Sequence, residues 1–150
     1  MGHLLYFAYD HRMDESTLNR IAPGTELFGP SHLPGHTLDL SANGDPEPVT
    51  RAGDSVWGVL WMVPAEHLAQ LDHAHGVDTG RRERTTVRII SPAGPPAQVI
   101  CYRRPAGQTT PIPPDTDWAL LLCAAKRQKL PADHQRRLAR LAADAAKNSR

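Results

Sequence analysis

Between Ser55 and Val77 the chain switches from a strand-like to a helix-like pattern, and this constrains its fold more than any other feature. Val56, Trp57, Val59, Leu60, Trp61 and Val63 form a short apolar run rich in β-branched and aromatic side chains, as buried strands do. Pro64 suits the first turn of a helix, where its missing N–H is no loss, and Leu68 and Leu71 fall on one helical face. Gly76 is a helix stop. A buried strand therefore feeds a short helix that ends at Asp72, His73 and His75, and element ends are where chemistry tends to sit.

The flanking segments read as mixed α and β. Leu4–Tyr9 is a first strand, and Asp14, Glu15 and Ser16 offer a cap and negative charge to a short helix through Arg20. Residues 21–54 are rich in Pro, Gly and Asp and predict long loops with one or two short strands, His36–Leu40 being the best candidate. Two more strands are expected at Arg84–Ile90 and Gln98–Tyr102, joined by a turn over Ser91–Pro96 and followed by a proline-rich loop from Arg103 to Pro114. Asp115 is placed to cap a helix over 116–125. Pro131 is placed to open a last one, on which Leu138, Leu141, Ala142 and Ala145 recur at helical spacing. Residues 147–150 read as a frayed tail. The expected architecture is a single α+β domain over residues 1–146, a small mixed β-barrel or sheet of about five to seven strands with flanking helices.

A chain of 150 residues can bury one proper core. Its formal net charge of +1 offers no large field for nucleic acid, and no apolar run is long enough to cross a bilayer. No signal pattern stands at the N-terminus, so a cytoplasmic location is expected. Cys101 and Cys123 read as two reduced, buried thiols. His73 and His75 lie two residues apart, whereas two histidines share a metal on a helix at a spacing of four, so neither metal nor cofactor is expected. The expected partner is a small molecule, bound by a monomer or homodimer. Arg81 to Arg84 read as a solvated strand edge.

The strand at 56–64, the helix after it, and Leu71-Asp72 followed by Gly76-Val77 resemble the γ-glutamylcyclotransferase superfamily, in its AIG2-like, γ-glutamylamine cyclotransferase type. Leu4–Tyr9 resembles that family's opening strand. Weaker matches follow in the expected order at Leu33–His36, Arg82–Val87, Ala97–Tyr102 and Trp118–Leu122. Two positions depart. The family's opening strand usually continues into Gly-Ser-Asn or Gly-Ser-Leu, and here it continues into Asp10-His11-Arg12. The family's catalytic Glu is replaced by His75.

The resemblance implies a chemistry. In related enzymes the loop after the first strand presents backbone N–H groups to the substrate. The Glu takes a proton from the α-amino group of a γ-glutamyl unit, the amine attacks the γ-carbonyl, a lactam closes and the other amine leaves. This needs a base, an oxyanion site and an orienting pocket. Carried onto this chain, it implies His75, Asp10 and His11 as catalytic residues. Tyr9, Asp10, His11, Arg12, Trp61 and Arg81 are the substrate-binding ones. Tyr9–Arg12 and His75 are then expected to line one cavity, with Asp10 orienting His11 or His75.

A neutral imidazole accepts one hydrogen bond from an ammonium but lacks the charge of a carboxylate, and Arg12 adds a cation. An anionic substrate without a free ammonium, or a different acyl transfer, is therefore expected, and ordinary γ-glutamyl dipeptides are expected to be poor substrates. With His75 as base, the rate is expected to rise through a pKa of roughly 6 to 7.5. Several readings stay open. One is a cyclotransferase-like enzyme acting on a small amide or acyl amine, in specialised metabolism. Another is reassigned hydrolase, decarboxylase or cyclase chemistry on the same fold. A third is a non-catalytic module that binds an anionic metabolite. His75 also reads as a polar helix terminator paired with Asp72, and Asp10-His11-Arg12 as a solvated turn.

Overall fold

The computed structural model describes residues 2–92, 94–108 and 112–148. Within them lie five strands and four α-helices: β1 (His3–Ala8), α1 (Glu15–Ile21), β2 (Glu26–Leu40), β3 (Pro46–Pro64), α2 (Leu68–Ala74), β4 (Glu83–Ser91), β5 (Gly94–Arg103), α3 (Trp118–Arg127) and α4 (Ala132–Asn148). The strands close into a barrel in the order β1-β3-β2-β4-β5. All neighbours are antiparallel except β1 and β5, which meet in parallel at Tyr6 and Ile100. The expected α+β class and single small barrel hold, with the strand count at the lower end of the expectation.

β3 is the spine of the barrel. It pairs with β1 from His3–Pro64 to Ala8–Val59 and with β2 along almost its whole length. Its apolar run is buried on both faces: Val56, Val59, Leu60, Trp61 and Val63 are all essentially inaccessible. Trp61 sits across from Tyr6 on β1, so the two rings share a face. Trp57, expected in the core, is instead half-buried and packs on His32 of β2. Gly58 is needed where β1 crosses β3. A Cβ there would come within 2.3 Å of the Ala8 carbonyl and 2.8 Å of the Phe7 ring. Outside the barrel, Leu18 of α1, Leu121 of α3 and Leu138 of α4 complete the core.

Several expectations are corrected. Residues 26–54, expected as long loops with one or two short strands, instead belong to one long hairpin, β2–β3, which spans 26–64 and turns at 41–45. The glycines and prolines that suggested loops serve as irregularities in it: register shifts fall between Leu27 and Gly29 and between Pro34 and His36. Pro30 and Pro34 lie beside those shifts, where an N–H is least missed. The turn after β4 is shorter than expected, since Ser91 already pairs with Gly94. Asp117, not Asp115, caps α3, accepting the Leu120 N–H. Helix α4 runs through Asn148, so Lys147 and Asn148 continue it, and the rest of the expected tail, residues 149–150, lies outside the described residues. Cys101 is buried but Cys123 is exposed, and both are free thiols. Arg82 is no solvated edge residue; it is buried against two carboxylates. No helix among the described residues is long and apolar enough to cross a membrane.

Candidate active site

α2 is a short helix that positions His75 as its C-cap. Gly76 then takes a left-handed conformation, φ 77°, and a Cβ at that position would lie 2.8 Å from the Arg81 Cβ. The glycine thus lets the chain fold back under the histidine toward β4. The His75 ring is buried, parallel to the Tyr102 ring of β5 at 4.0 Å between centroids and edge-on to Tyr6 of β1. Its Nε2 shares a 2.7 Å hydrogen bond with the Tyr6 hydroxyl, and its Nδ1 is buried without a hydrogen-bond partner.

Burial pushes the His75 pKa well below the usual imidazole value, and the Arg12 charge pushes the same way, so the ring is neutral near pH 7. This corrects the expectation of a titration between pH 6 and 7.5. Asp72 is not its partner either. The Asp72 carboxylate accepts a 2.5 Å hydrogen bond from the Tyr102 hydroxyl and pairs with Arg84 at 3.3 Å. The helix terminator therefore acts through aromatic contacts, with Asp72 holding the far side of the stacked tyrosine.

The loop after β1 is brought to the same place. Asp10 accepts the Arg12 N–H at 2.9 Å and pairs with its guanidinium at 2.6 Å, capping a single turn of 3-10 helix over His11–Met13. Asp10 thus orients Arg12, not an imidazole as expected. Burial alone would raise the Asp10 carboxyl, but the Arg12 charge holds it well below the carboxylate range. Arg12 in turn donates to the Ala74 carbonyl at 2.7 Å and to Asp115 at 3.2 Å. It stitches the loop to the end of α2 beside His75, and its charge is spent on two carboxylates. Asp10-His11-Arg12 is therefore no solvated turn. Tyr9 is buried and donates its hydroxyl to the Tyr102 carbonyl at 2.7 Å. His11 lies at the margin, where its Nδ1 accepts the Asp117 N–H at 3.3 Å. Trp61 belongs to the barrel interior and not to an exposed pocket wall. Arg81 is partly exposed; it donates to the Pro113 carbonyl and stands 3.8 Å from Asp115.

Four groups of this cluster escape a sequence reading. Tyr6 and Tyr102, which hold the His75 ring, lie in apolar strands where an aromatic residue reads as core. Arg82 and Asp115 form a two-pronged pair at 2.7 and 2.9 Å, and Arg82 also donates to the His75 carbonyl at 3.3 Å. Nothing in the sequence singles Arg82 out of the basic run from Arg81 to Arg84: it lies just ahead of β4, outside the strand, so strand alternation does not place it. Asp115 offered no signal beyond its place before α3. As a whole the site is a neutral imidazole with one buried, unpartnered ring nitrogen, held between two phenols and walled by paired arginines and aspartates. It can accept or relay one proton, and its arginine charges are met by the aspartates.

Comparison with known proteins agrees with this architecture. Residues 55–138 match the model of the AIG2-like family. γ-Glutamylcyclotransferase from Bos taurus is 25% identical over 148 residues, covering 89% of this chain and 76% of the relative; the Homo sapiens protein is 25% identical over 145 residues with the same coverage. A solved γ-glutamyl cyclotransferase superposes with a TM-score of 0.75 at 22% identity, covering 91% of this chain and 86% of its own. A yeast cyclotransferase specific to glutathione superposes at 0.59 and 9% identity, covering 98% and 97%. At these identities the two superpositions speak for the fold.

Proposed function

The chain belongs to the AIG2-like family, within the γ-glutamylcyclotransferase-like superfamily, and on that premise we propose that it is a cyclotransferase-like enzyme acting on a small amide or acyl amine. The observation that carries the reading is the His75 ring. It lies at the end of α2, where the sequence resemblance puts the catalytic carboxylate of relatives, and it is fixed on two sides with one ring nitrogen buried and unpartnered. A polar group kept buried and half-partnered is costly to the fold, about 1–3 kcal/mol for an unsatisfied donor or acceptor. Such a cost is typical of functional sites.

In the reaction, His75 is the general acid/base. Its neutral ring takes a proton from the attacking amine and returns it to the departing one, while the carbon–nitrogen bond of the amide breaks and the new ring bond forms. Because the ring is already neutral near pH 7, it is ready as a base, though a weaker one than free imidazole. Tyr6 shares the proton at Nε2. The substrate is small and anionic overall, with its carboxylate toward Arg81. An exchanged catalytic group on a retained scaffold suits a dedicated substrate of specialised metabolism.

The test is release of the cyclised acid, 5-oxoproline, from a panel of γ-glutamyl amides and dipeptides. Wild type is expected to turn over at least one member, and His75→Gln to lose turnover about a hundredfold or more, as loss of an acid/base group does. Full turnover by His75→Gln would remove the assigned role. Binding across the panel without release by wild type would leave the binding-module reading in its place.

A further inference from the structure

The Tyr6–His75 hydrogen bond decides which nitrogen of the ring carries its proton. A neutral imidazole has one N–H and one bare nitrogen, and the bond made at one nitrogen sets the state of the other. Here Nε2 lies 2.7 Å from the Tyr6 hydroxyl, and Nδ1 is buried with no partner. Among the described residues, the contact with Nε2 is the one hydrogen bond that the Tyr6 hydroxyl makes.

Two arrangements of the protons are possible, and they strand different numbers of groups. If Nε2 holds the ring proton and donates to the phenol oxygen, the Tyr6 hydroxyl hydrogen has no acceptor and Nδ1 is left as a bare acceptor. If the hydroxyl donates to a bare Nε2, both of those groups are satisfied and the Nδ1–H alone stays unpaired. Stranding a further buried polar group is costly, so the second arrangement is favoured about tenfold or more. The ionisation states agree. Burial, and then the Asp10 charge, hold the Tyr6 pKa well above the usual phenol value, so the hydroxyl keeps its hydrogen to donate. Burial and Arg12 keep the His75 ring neutral. The nearby carboxylates are committed elsewhere: Asp10 to Arg12 at 2.6 Å, Asp115 to Arg82 at 2.7 Å, and Asp72 to the Tyr102 hydroxyl at 2.5 Å.

We propose that Tyr6 is a positioning residue that holds His75 as its Nδ1–H tautomer, so that Nε2, on the Tyr6 side, is the one basic nitrogen of the ring. What this means for the reaction rests on the cyclotransferase-like reading. The proton that leaves the attacking amine arrives at Nε2 and not at Nδ1, which already carries a hydrogen. The ring becomes imidazolium, and its Nε2–H donates to the Tyr6 oxygen. The new charge lies over the parallel Tyr102 ring, 4.0 Å between centroids, where the face of a phenol attracts a cation. The same proton then passes to the departing amine, so the ring ends neutral as it began.

The experiment records long-range proton–nitrogen correlation spectra of ligand-free protein labelled with nitrogen-15 at histidine, near neutral pH. Wild type and Tyr6→Phe are compared, and His75→Gln assigns the His75 signals. In wild type, Nδ1 is expected to show the shift of a protonated ring nitrogen and Nε2 that of a bare one, with this tautomer in excess by about tenfold or more. Tyr6→Phe is expected to mix the two tautomers or reverse them, a change that altered packing alone does not produce. In 5-oxoproline release from the amide panel, Tyr6→Phe is expected to lower kcat about ten- to a hundredfold, as loss of a hydrogen bond to a charged group does, with KM within about threefold of wild type.

A wild-type spectrum with the proton on Nε2, or with the two tautomers near equal, overturns the inference and needs no variant to fold. A Tyr6→Phe ring that keeps the wild-type tautomer overturns it as well. Either result beside release by wild type leaves the cyclotransferase reading standing. Mixed tautomers in Tyr6→Phe with an unchanged kcat overturn the assignment of the working proton to Nε2. The expected spectra with no release by wild type uphold the tautomer and overturn the catalytic reading.

Discussion

Asp115→Ala is the substitution that most directly tests how the site is held. The Asp115 carboxylate accepts three charge-assisted hydrogen bonds, two from Arg82 and one from Arg12, and both guanidiniums are about 5% exposed. Breaking a buried pair by removing one partner costs about 3–5 kcal/mol, because the remaining charge is stranded. Here Arg12 keeps Asp10 at 2.6 Å and Arg82 keeps Asp45 at 3.5 Å, and Asp115 is itself 24% exposed, so the cost should sit at the low end, about 3 kcal/mol. For a chain of this length that is a fall in Tm of about 6–12 °C. Removing Arg82 as well should recover part of the loss, since no charge is then stranded beside the gap; a double-mutant cycle with Arg82→Leu measures this.

The same carboxylate sets an acid dependence. Burial would raise its pKa, but the hydrogen bonds and charge of Arg82 hold it at about 2, below the usual carboxylate value. A depressed folded pKa contributes stability that is complete above the unfolded value near 4 and is lost as pH falls toward 2. Urea unfolding between pH 7 and pH 3 should therefore show a steeper loss in wild type than in Asp115→Ala. A variant within about 0.5 kcal/mol of wild type at pH 7, with a parallel acid profile, would refute the claim that this carboxylate organises the site.

Two further perturbations follow from the same geometry. His134 is buried, its pKa pushed down to about 4 mainly by burial, and the His75 pKa is lowered too. Both rings must charge on unfolding in acid, so stability should fall as pH drops below about 6.5, by at most about 1.4 kcal/mol per pH unit for each ring; a denaturant midpoint unchanged between pH 7.5 and 5 would contradict this. Gly58→Ala forces a Cβ to within 2.3 Å of the Ala8 carbonyl, and backbone cannot step aside as a side-chain end can. It should cost about 2–3 kcal/mol in chemical denaturation, and a variant as stable as wild type would mean that β1 and β3 pack more loosely than described.

The parts of the fold legible in the sequence were those carried by local pattern. The apolar run of β3, the cap and charge at Asp14 and Glu15, and the Gly76 stop each act within a few residues of the element they define. Residues 26–54 were misread because prolines and glycines signal loops unless long-range pairing absorbs them. Here β3 does so, with bulges at the offending positions. The site shows the same divide. His75, Asp10 and Arg12 were visible as departures from a familiar pattern, but their partners were not. Tyr6 lies 69 residues from His75 and Asp115 lies 103 from Arg12, and no local rule connects them.

The barrel has an uneven weave. β1, β3 and β2 are laced along their lengths, as are β4 and β5, but the described residues join these two ribbons by strand pairing only at Tyr6–Ile100 and His32–Ile90. The wall is thus a three-stranded panel and a two-stranded panel meeting at two narrow seams. His75 straddles one seam, bonded to Tyr6 on the first panel and stacked on Tyr102 of the second, and Tyr9 crosses it to the Tyr102 carbonyl. Any ligand gripping the His75 ring therefore rivets the panels together. In hydrogen–deuterium exchange, amides along that seam should slow on binding while those deep in the β2–β3 hairpin stay as they were.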